Sequence, residues 1–397
     1  MRTKHKCDKS INPIISFITP VYNNTRYLRT CVESVIKQGD YDIEYIIIDD
    51  GSTDDTPQLC DQLALEDSRI SVIHQTNQWI YASFNNGVKK AKGEYIYILN
   101  SDDTLINGSI KKMINIVQEI NPDVILTRLN VFHCDDNQKP IGDNQNIHDI
   151  KYDDKFFPTA EAFRKEWKGL FNLDGFRNQA NLYRRSLMIK YPFRTDWYAA
   201  DTFMNLSIAR EIQSVYVMRD VVYNHYIYEE GRVNASSKFY GYTVEMKREL
   251  NRQHKALLKD WGLLTRDDEE WFLNDNVSCI VSQIKCLNSN LTDGISLEEK
   301  LQLLLTGYVD DEFLMEIGCK REEIEARVLS CARKNFLKNK ISKESEYYFL
   351  YDMLTSLLRY EKDDEDYRLI EAGVYHKLNP YHIGITFLKK ISEKNTD

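Results

Sequence analysis

Between Pro13 and Val131, short apolar runs rich in β-branched and aromatic residues alternate with stretches of helical periodicity, a pattern that few folds accept. The runs are Ile14–Thr19, Tyr45–Ile48, Ile70–Ile73, Tyr95–Leu99 and Val124–Leu126. Between the first two, Tyr27–Ile36 places Leu28, Cys31, Val32 and Val35 at spacings of three and four, which line one helix face. Gln58–Leu65, Ala82–Ala91 and Ser109–Ile120 behave similarly. Strands alternating with helices need right-handed crossovers, so the sheet should be mainly parallel. Wholly apolar strands suit a sheet covered on both faces. The expected fold class is α/β, a Rossmann-like, mainly parallel sheet flanked by helices.

Residues 134–180 lose this regularity and are rich in Asp, Asn, Lys and aromatics; they read as a long excursion with a helix near Ala160–Trp167. Regular structure resumes with "NQANLYRRSLM", a helix through Asp201–Glu211 and two strands near Val215–Met218 and Val221–His225. After about Phe239, Gly and Pro become scarce. Leu250, Leu257, Leu258 and Trp261 form one helical stripe, and Val277, Ile280, Val281 and Ile284 form another. Ser296–Glu299 has the form of a capping box. Residues 1–238 are thus expected to form one domain and residues 239–397 an all-helical second one.

A chain of 397 residues exceeds what one core usually serves, which agrees with two domains. Apolar residues at 42% and charged residues at 28% mark a globular protein. A net charge of −9 leaves no basic stripe for duplex nucleic acid. No apolar run approaches the roughly 20 residues that span a bilayer, and Met1–Ser10 has no signal-peptide core. The expectation is a cytosolic chain, with membrane association left to a surface patch or a partner. The eight cysteines form no C-x-x-C pair, so they read as reduced thiols and not as a zinc site.

Ligands of a parallel α/β sheet bind beyond the C-terminal ends of its strands. Three such ends are "ITPVYNN", "YIIIDDGSTDDT" and "LNSDD". Glycine-rich phosphate loops are missing: there is no G-x-G-x-x-G after the first strand and no G-x-x-x-x-G-K-[ST]. An edge of carboxylates can still hold a diphosphate when a divalent cation bridges them, since Mg²⁺ and Mn²⁺ take hard oxygen ligands. "SDDT" therefore has two readings: a metal and ribose handle, or a solvated turn ahead of a helix at about Gly108.

Taken together and in order, "SFITPVYNNTRYLRTCVESVIKQ", "EYIIIDDGSTDDT", "NNGVKKAKGEYIYILNSDD" and "AADTFMNLSIARE" resemble the family 2 glycosyltransferases, inverting bacterial enzymes of the GT-A fold. The resemblance covers roughly residues 13–225. It implies that Pro20, Val21 and Tyr22 wall a nucleobase and that Asp50 accepts a hydrogen bond from uracil N3–H, while Asp49 braces the loop. It further implies that Asp102 contacts the ribose, that Asp103 binds Mn²⁺ or Mg²⁺, and that Asp201 is the catalytic base. Asn24, Asn77, Asn85 and Ser101 complete the implied nucleotide-sugar contacts. His225 is either a further metal contact or a plain strand-end residue. Trp197 and Tyr198 are either an acceptor platform or structural aromatics.

This chain departs from the family pattern at four places. Ala200 stands where Glu commonly precedes the catalytic Asp, Trp79 replaces a Gly, Phe84 replaces an Arg that supports the donor pocket, and Asn100 replaces a frequent Asp. Lys89, Arg177 or Arg232 could supply the missing positive charge. The implied activity is transfer of a hexose (glucose, galactose or an N-acetyl derivative) from a UDP-sugar to a sugar acceptor on a bacterial surface glycoprotein or polysaccharide. The helical segment would bind acceptor or a second copy of the chain. The rivals are a degenerate glycosyltransferase-like scaffold, which Phe84 and Ala200 motivate, and a sugar nucleotidyltransferase. The latter normally needs a Gly-rich basic loop where this chain has "TPVYNNTRY".

Overall fold

Strand β1 (Ile15–Val21) is fully buried and pairs in parallel with β2 (Ile43–Asp50) on one side and β4 (Tyr95–Ile98) on the other. β3 (Ile70–Gln75) joins β2, also in parallel. These four strands therefore end on one common edge. The computed structural model describes residues 12–148, 152–172, 176–228, 240–287, 315 and 320. The chain divides into two compact units, Met1–Val233 and Asn234–Asp397. The domain boundary expected at residues 238 and 239 lies outside the described residues.

The complete sheet has the order β3-β2-β1-β4-β9-β6-β10-β5. β9 (Leu182–Arg184) is a three-residue strand running antiparallel between β4 and β6 (Val124–Cys134). Arg184 fixes it there, with Nε donating to Asp123 at 3.0 Å and Nη1 to Glu94 at 2.8 Å. β10 (Val215–Tyr228) runs parallel to β6 and is one 14-residue strand, not the two expected. Its register shifts between Val217 and Tyr223, where Arg219 and Asp220 break the apolar run. β5 (Thr104–Leu105) closes the sheet against β10, β7 (Pro140–His148) lies on β6, and β8 (Lys155–Phe157) on β10. Among its described residues, the expected excursion over residues 134–180 thus contains two strands and a helix, α5 (Ala160–Asn172).

Helices α1 (Leu28–Ile36), α2 (Thr56–Glu66), α3 (Ile80–Lys90) and α4 (Ser109–Glu119) fill the crossovers. α1 buries Leu28, Cys31, Val32 and Val35. Each such side chain contributes about 1.5–3 kcal/mol relative to exposure. α3 comes so close to the sheet that a Cβ on Gly87 would lie 2.5 Å from Ile18 Cγ2. α6 (Arg185–Lys190) and α7 (Ala200–Ala209) follow β9.

In the second unit, α8 (Thr243–Asp260) buries Val244, Met246, Leu250, Leu257 and Leu258, and α9 (Arg266–Leu287) buries Phe272, Leu273 and Val277. Asn251 Nδ2 donates to Asp275 Oδ2 at 2.9 Å and to Asn276 Oδ1 at 3.1 Å, which ties the two helices together. The capping box at Ser296–Glu299 lies outside the described residues. None of the described helices is long and apolar enough to cross a membrane.

Candidate active site

The turn after β1 is stitched to the turns after β2 and β4. Asn23 N–H donates to Ser52 Oγ at 3.0 Å, and Thr53 N–H donates back to Asn23 Oδ1 at 2.7 Å. Asn24 N–H donates to Thr56 Oγ1 at 2.9 Å, and Asn24 Nδ2 reaches Ser101 Oγ at 2.9 Å. The other amide atom, Asn24 Oδ1, is buried without a hydrogen-bond partner. Pro20 and Val21 are buried at the strand end, while Tyr22 is exposed at the mouth.

Asp49 and Asp50 point to different work because successive strand residues face opposite sides of the sheet. Asp49 accepts from Ser52 N–H at 3.1 Å and lies 2.8 Å from His74 Nδ1, so it braces the turn. Asp50 Oδ1 accepts from Gln75 Nε2 at 2.7 Å and from Gln78 N–H at 2.8 Å. Asp50 Oδ2 takes no hydrogen bond from the described residues. Gly51 turns the chain at φ +74°, and a Cβ there would sit 2.7 Å from the Asn77 nitrogen. That close approach brings the exposed Asn77 beside the acidic turn.

Asp103 is fully buried at the end of β4. Its Oδ2 accepts from Tyr223 hydroxyl at 2.6 Å and Asn100 Nδ2 at 3.1 Å, and its Oδ1 from Tyr226 N–H at 2.9 Å. His225 Nδ1 lies 3.1 Å from both oxygens. Burial works against a charged imidazole, but Asp103 and then Asp102 outweigh it, so the His225 pKa stands above the ordinary histidine value. The solvated-turn reading of "SDDT" therefore fails for Asp103. It holds in part for Asp102, which is half-buried and whose carbonyl accepts from Gln138 Nε2 at 3.0 Å. The sequence singles out Asn100 only as a departure from the family pattern, and Tyr223 not at all. Tyr223 and His225 are two residues apart on β10, so the period of a strand puts both on the face toward Asp103.

Asp201 is the second residue of α7, half-buried, with Thr202 N–H donating to its Oδ1 at 2.9 Å. The helix N-terminus favours a negative charge there. One turn on, Asn205 Oδ1 accepts from Tyr183 hydroxyl at 3.0 Å, and that hydroxyl also reaches the Arg177 carbonyl at 2.5 Å. The Arg177 segment in turn lies beside the end of β4, through a bridge between Gln179 and Ile98. These contacts link α7, through Asn205 and Tyr183, to the segment beside the end of β4. Arg177 Nη2 donates to Thr127 O at 2.9 Å, and its charge acts on both Tyr97 and His225. Of the three cations expected to replace the missing Arg, Lys89 is exposed on the last turn of α3 and Arg232 lies outside the described residues.

Several expected residues have structural partners. Asn85 Nδ2 donates to Phe193 O at 2.7 Å and its Oδ1 accepts Phe193 N–H at 2.9 Å, so its amide is a clip and not an open donor contact. Phe84 is fully buried and packs on Phe193 at 5.2 Å. Ala200 is also fully buried, which suits a methyl group better than the carboxylate common there. Trp197 packs against Phe203 at 5.4 Å, under the Arg194 guanidinium at 3.6 Å. The Tyr198 carbonyl accepts from Tyr81 hydroxyl.

The edge offers Mn²⁺ or Mg²⁺ a carboxylate and an imidazole, Asp103 and His225. Among the described residues no group of three or more His, Cys, Asp or Glu is placed to hold a metal. A cation held by these two side chains would take its remaining ligands from a diphosphate and water, the usual situation for these ions. The contact from His225 Nδ1 to Asp103 is the one a cation would have to replace, so proton and metal compete for this pair.

Comparison with known proteins agrees with the fold. The profile described as "Glycosyl transferase family 2" matches residues 16–190. The glycosyltransferase GlyG of Streptococcus pneumoniae is 41% identical over 117 residues, which are 29% of this chain and 39% of GlyG. EpsH of Bacillus subtilis is 29% identical over 284 residues, covering 66% of this chain and 70% of EpsH. The matched part thus spans well under half of GlyG and about two thirds of EpsH. Among solved structures, residues 1–349 of S. aureus TarS in complex with UDP-GlcNAc superpose with a TM-score of 0.52 at 18% identity, over 89% of this chain and 91% of that one, which shows a shared fold. Residues 16–190 of this chain thus match glycosyl transferase family 2, the family that its sequence motifs resemble.

Proposed function

We propose that this chain moves a hexose from a UDP-sugar to the hydroxyl of a sugar acceptor, with inversion at C1. One observation carries the reading: two acidic turns share one sheet edge, Asp50 with an open Oδ2 and Asp102–Asp103 backed by His225, with Asn24 joined to the second through Ser101. Pro20, Val21 and Tyr22 would wall the uracil. Asp50 Oδ2 would accept its N3–H, and Asn77 would border the same turn. Asp102 and Asn24 Oδ1 would take the ribose hydroxyls. The orphaned Asn24 acceptor supports this, because a buried polar atom without a partner is costly unless a ligand completes it.

Asp103 and His225 would hold Mn²⁺ or Mg²⁺, which when bound would stabilise charge on the diphosphate leaving group as a Lewis acid. Arg177 would add a fixed positive charge from the same side. Asp201 would take the proton of the acceptor hydroxyl while its oxygen bonds to C1 and the bond from C1 to the diphosphate breaks. Trp197 and Tyr198 precede Asp201 and would form the acceptor wall. The acceptor proposed is a glycan on a bacterial surface glycoprotein or polysaccharide, reached from the cytosol, and the helical unit would bind that acceptor or a second copy of the chain.

Thermal unfolding with UDP-glucose, UDP-galactose and UDP-N-acetylglucosamine, each with and without Mn²⁺, tests the reading. The TarS complex makes the last of these the first donor to try. Stabilisation by a UDP-sugar that grows with Mn²⁺, and release of UDP, are expected. Stabilisation by GDP- or CMP-sugars alone would remove the uracil assignment. Pyrophosphate as product would turn the reading toward nucleotidyl transfer.

A further inference from the structure

Helix α3 grips the segment leading to Asp201 with groups that the proposed mechanism does not use. The Tyr81 hydroxyl donates to the Tyr198 carbonyl, three residues ahead of Asp201. The Tyr81 ring stacks on Phe193 at 5.8 Å with an interplanar angle of 21°. Asn85, one turn further along α3 and on the same face, exchanges two hydrogen bonds with the Phe193 backbone. Phe84 fills the corner, 6.0 Å from Tyr81 and 5.2 Å from Phe193. Both ends of the stretch from Phe193 to Tyr198 are therefore fastened to one helix face.

The fastening has a direct mechanical consequence. The Tyr198 carbonyl immediately precedes Ala199, whose carbonyl accepts the Thr202 N–H at 3.1 Å in the first turn of α7. Fixing Tyr198 fixes where that turn begins, and Asp201 lies within it. Phe193 alone would leave six residues of slack before α7, and the Tyr81 hydroxyl removes most of it. The segment that leads into α3 is held at the Asp50 side, since Gln78 N–H donates to Asp50 Oδ1 at 2.8 Å.

We propose that Tyr81 is a positioning residue for Asp201: its hydroxyl, through the Tyr198 carbonyl, sets the start of α7 relative to the sheet edge. This rests on the transferase reading above. A misplacement of about 1 Å in a reacting group can cost about 100-fold in rate, so a single hydrogen bond at this lever point matters more for turnover than for stability.

Tyr81→Phe is the test, because it keeps the ring and its stacking and removes only the hydroxyl. Two readouts are taken on the full chain: UDP release from each of the three UDP-sugars with Mn²⁺, and amide hydrogen exchange across residues 193–203. The expectation is a fall in kcat of about 10- to 100-fold, with donor KM changed by no more than about twofold. Exchange at residues 197–202 should speed up by about tenfold or more while residues 75–78 keep their protection. Unchanged exchange at residues 197–202 overturns the proposal whatever the rate does. An unchanged kcat, or a change confined to KM, overturns it as well. Faster exchange together with a wild type that releases no UDP from any donor leaves the clip standing and removes the transferase reading, so the two failures are told apart.

Discussion

The imidazole of His225 faces Asp103 with Nδ1 at 3.1 Å from both carboxylate oxygens, and Asp103 itself has no solvent exposure. A histidine and three further donors, Tyr223 hydroxyl, Asn100 Nδ2 and Tyr226 N–H, enclose this carboxylate at the end of a strand. Two neighbouring carboxylates, Asp102 and Asp103, can stand side by side there because they do not share an environment. One is enclosed by donors and the other is half-open to solvent.

Asp103→Ala removes the acceptor for Tyr223 hydroxyl, Asn100 Nδ2 and Tyr226 N–H together. Each buried donor left unpaired costs about 1–3 kcal/mol, so the variant should melt well below wild type. It should also lose Mn²⁺-dependent UDP release by about 100-fold or more. Tyr223→Phe removes one donor only, and should cost about 1 kcal/mol while keeping measurable turnover. Melting curves and UDP release on both variants check this. Wild-type Mn²⁺ dependence in the alanine variant would show that the cation binds elsewhere.

Asp50→Asn addresses the base. Gln75 Nε2 and Gln78 N–H still find an acceptor in the amide oxygen, so the fold should tolerate the change. The amide NH₂ then meets uracil N3–H donor to donor. UDP affinity should fall by about 10- to 100-fold, equivalent to about 1.4–2.7 kcal/mol. Isothermal titration with UDP reads this directly, and affinity equal to wild type would remove Asp50 from the nucleotide contacts.

What the sequence made legible follows from where its signals are local. The acidic turns were visible because apolar strands run straight into Asp49–Asp50 and Asp102–Asp103, and the burial of α1 follows its spacing residue by residue. β6 was read only to Leu126, since Thr127, Arg128 and Asn130 interrupt the apolar run. Two of them find distant partners inside: Thr127 N–H donates to Asn181 Oδ1 at 3.0 Å, and Asn130 Nδ2 to Asn224 Oδ1 at 3.0 Å. Those partners lie more than fifty residues away, beyond any periodicity. β9 is three residues long and has no pattern of its own; Arg184 and its distant carboxylates hold it in place. The partner of Asn85 is hidden from the sequence for a similar reason, because Phe193 is 108 positions along the chain.

Asp201→Asn should separate chemistry from binding. The amide keeps an oxygen for Thr202 N–H, so α7 should start as before, but it cannot accept the acceptor proton. Turnover should fall by about 100- to 10,000-fold with UDP affinity unchanged. A loss of affinity equal to the loss of rate would place Asp201 among the donor contacts.

His74 offers a pH test of the brace under Asp50. Its hydrogen bond to Asp49 raises its pKa above 6.5, burial opposes this, and Asp61 adds to the rise. A group whose pKa is raised on folding stabilises fully below its unfolded value and loses that contribution as pH climbs through the folded one. The melting temperature of wild type should therefore exceed that of His74→Gln most at about pH 6, with the gap closing toward about pH 9. A gap that is flat across this range would mean that His74 braces Asp49 only as a neutral donor.

Trp79 poses the sharpest conflict between residue and backbone. It sits at φ 75° and ψ 159°, at the start of α3, in a region essentially reserved for glycine and costing other residues about 1–3 kcal/mol. Its carbonyl accepts Ser83 N–H at 3.1 Å and its indole meets the Tyr81 ring edge-on at 5.8 Å, so the surroundings hold it there. Trp79→Gly relieves the strain and gives up the indole contact, while Trp79→Ala gives up the same contact and keeps a Cβ in the strained conformation. Subtracting one variant from the other cancels the lost indole and leaves the backbone cost. The glycine variant should therefore be more stable than the alanine variant by about 1 kcal/mol or more, even though glycine also gains freedom in the unfolded chain. That difference corresponds to about 2–4 °C in melting temperature for a domain of this size. Equal melting temperatures would show that Trp79 bears no such strain in solution.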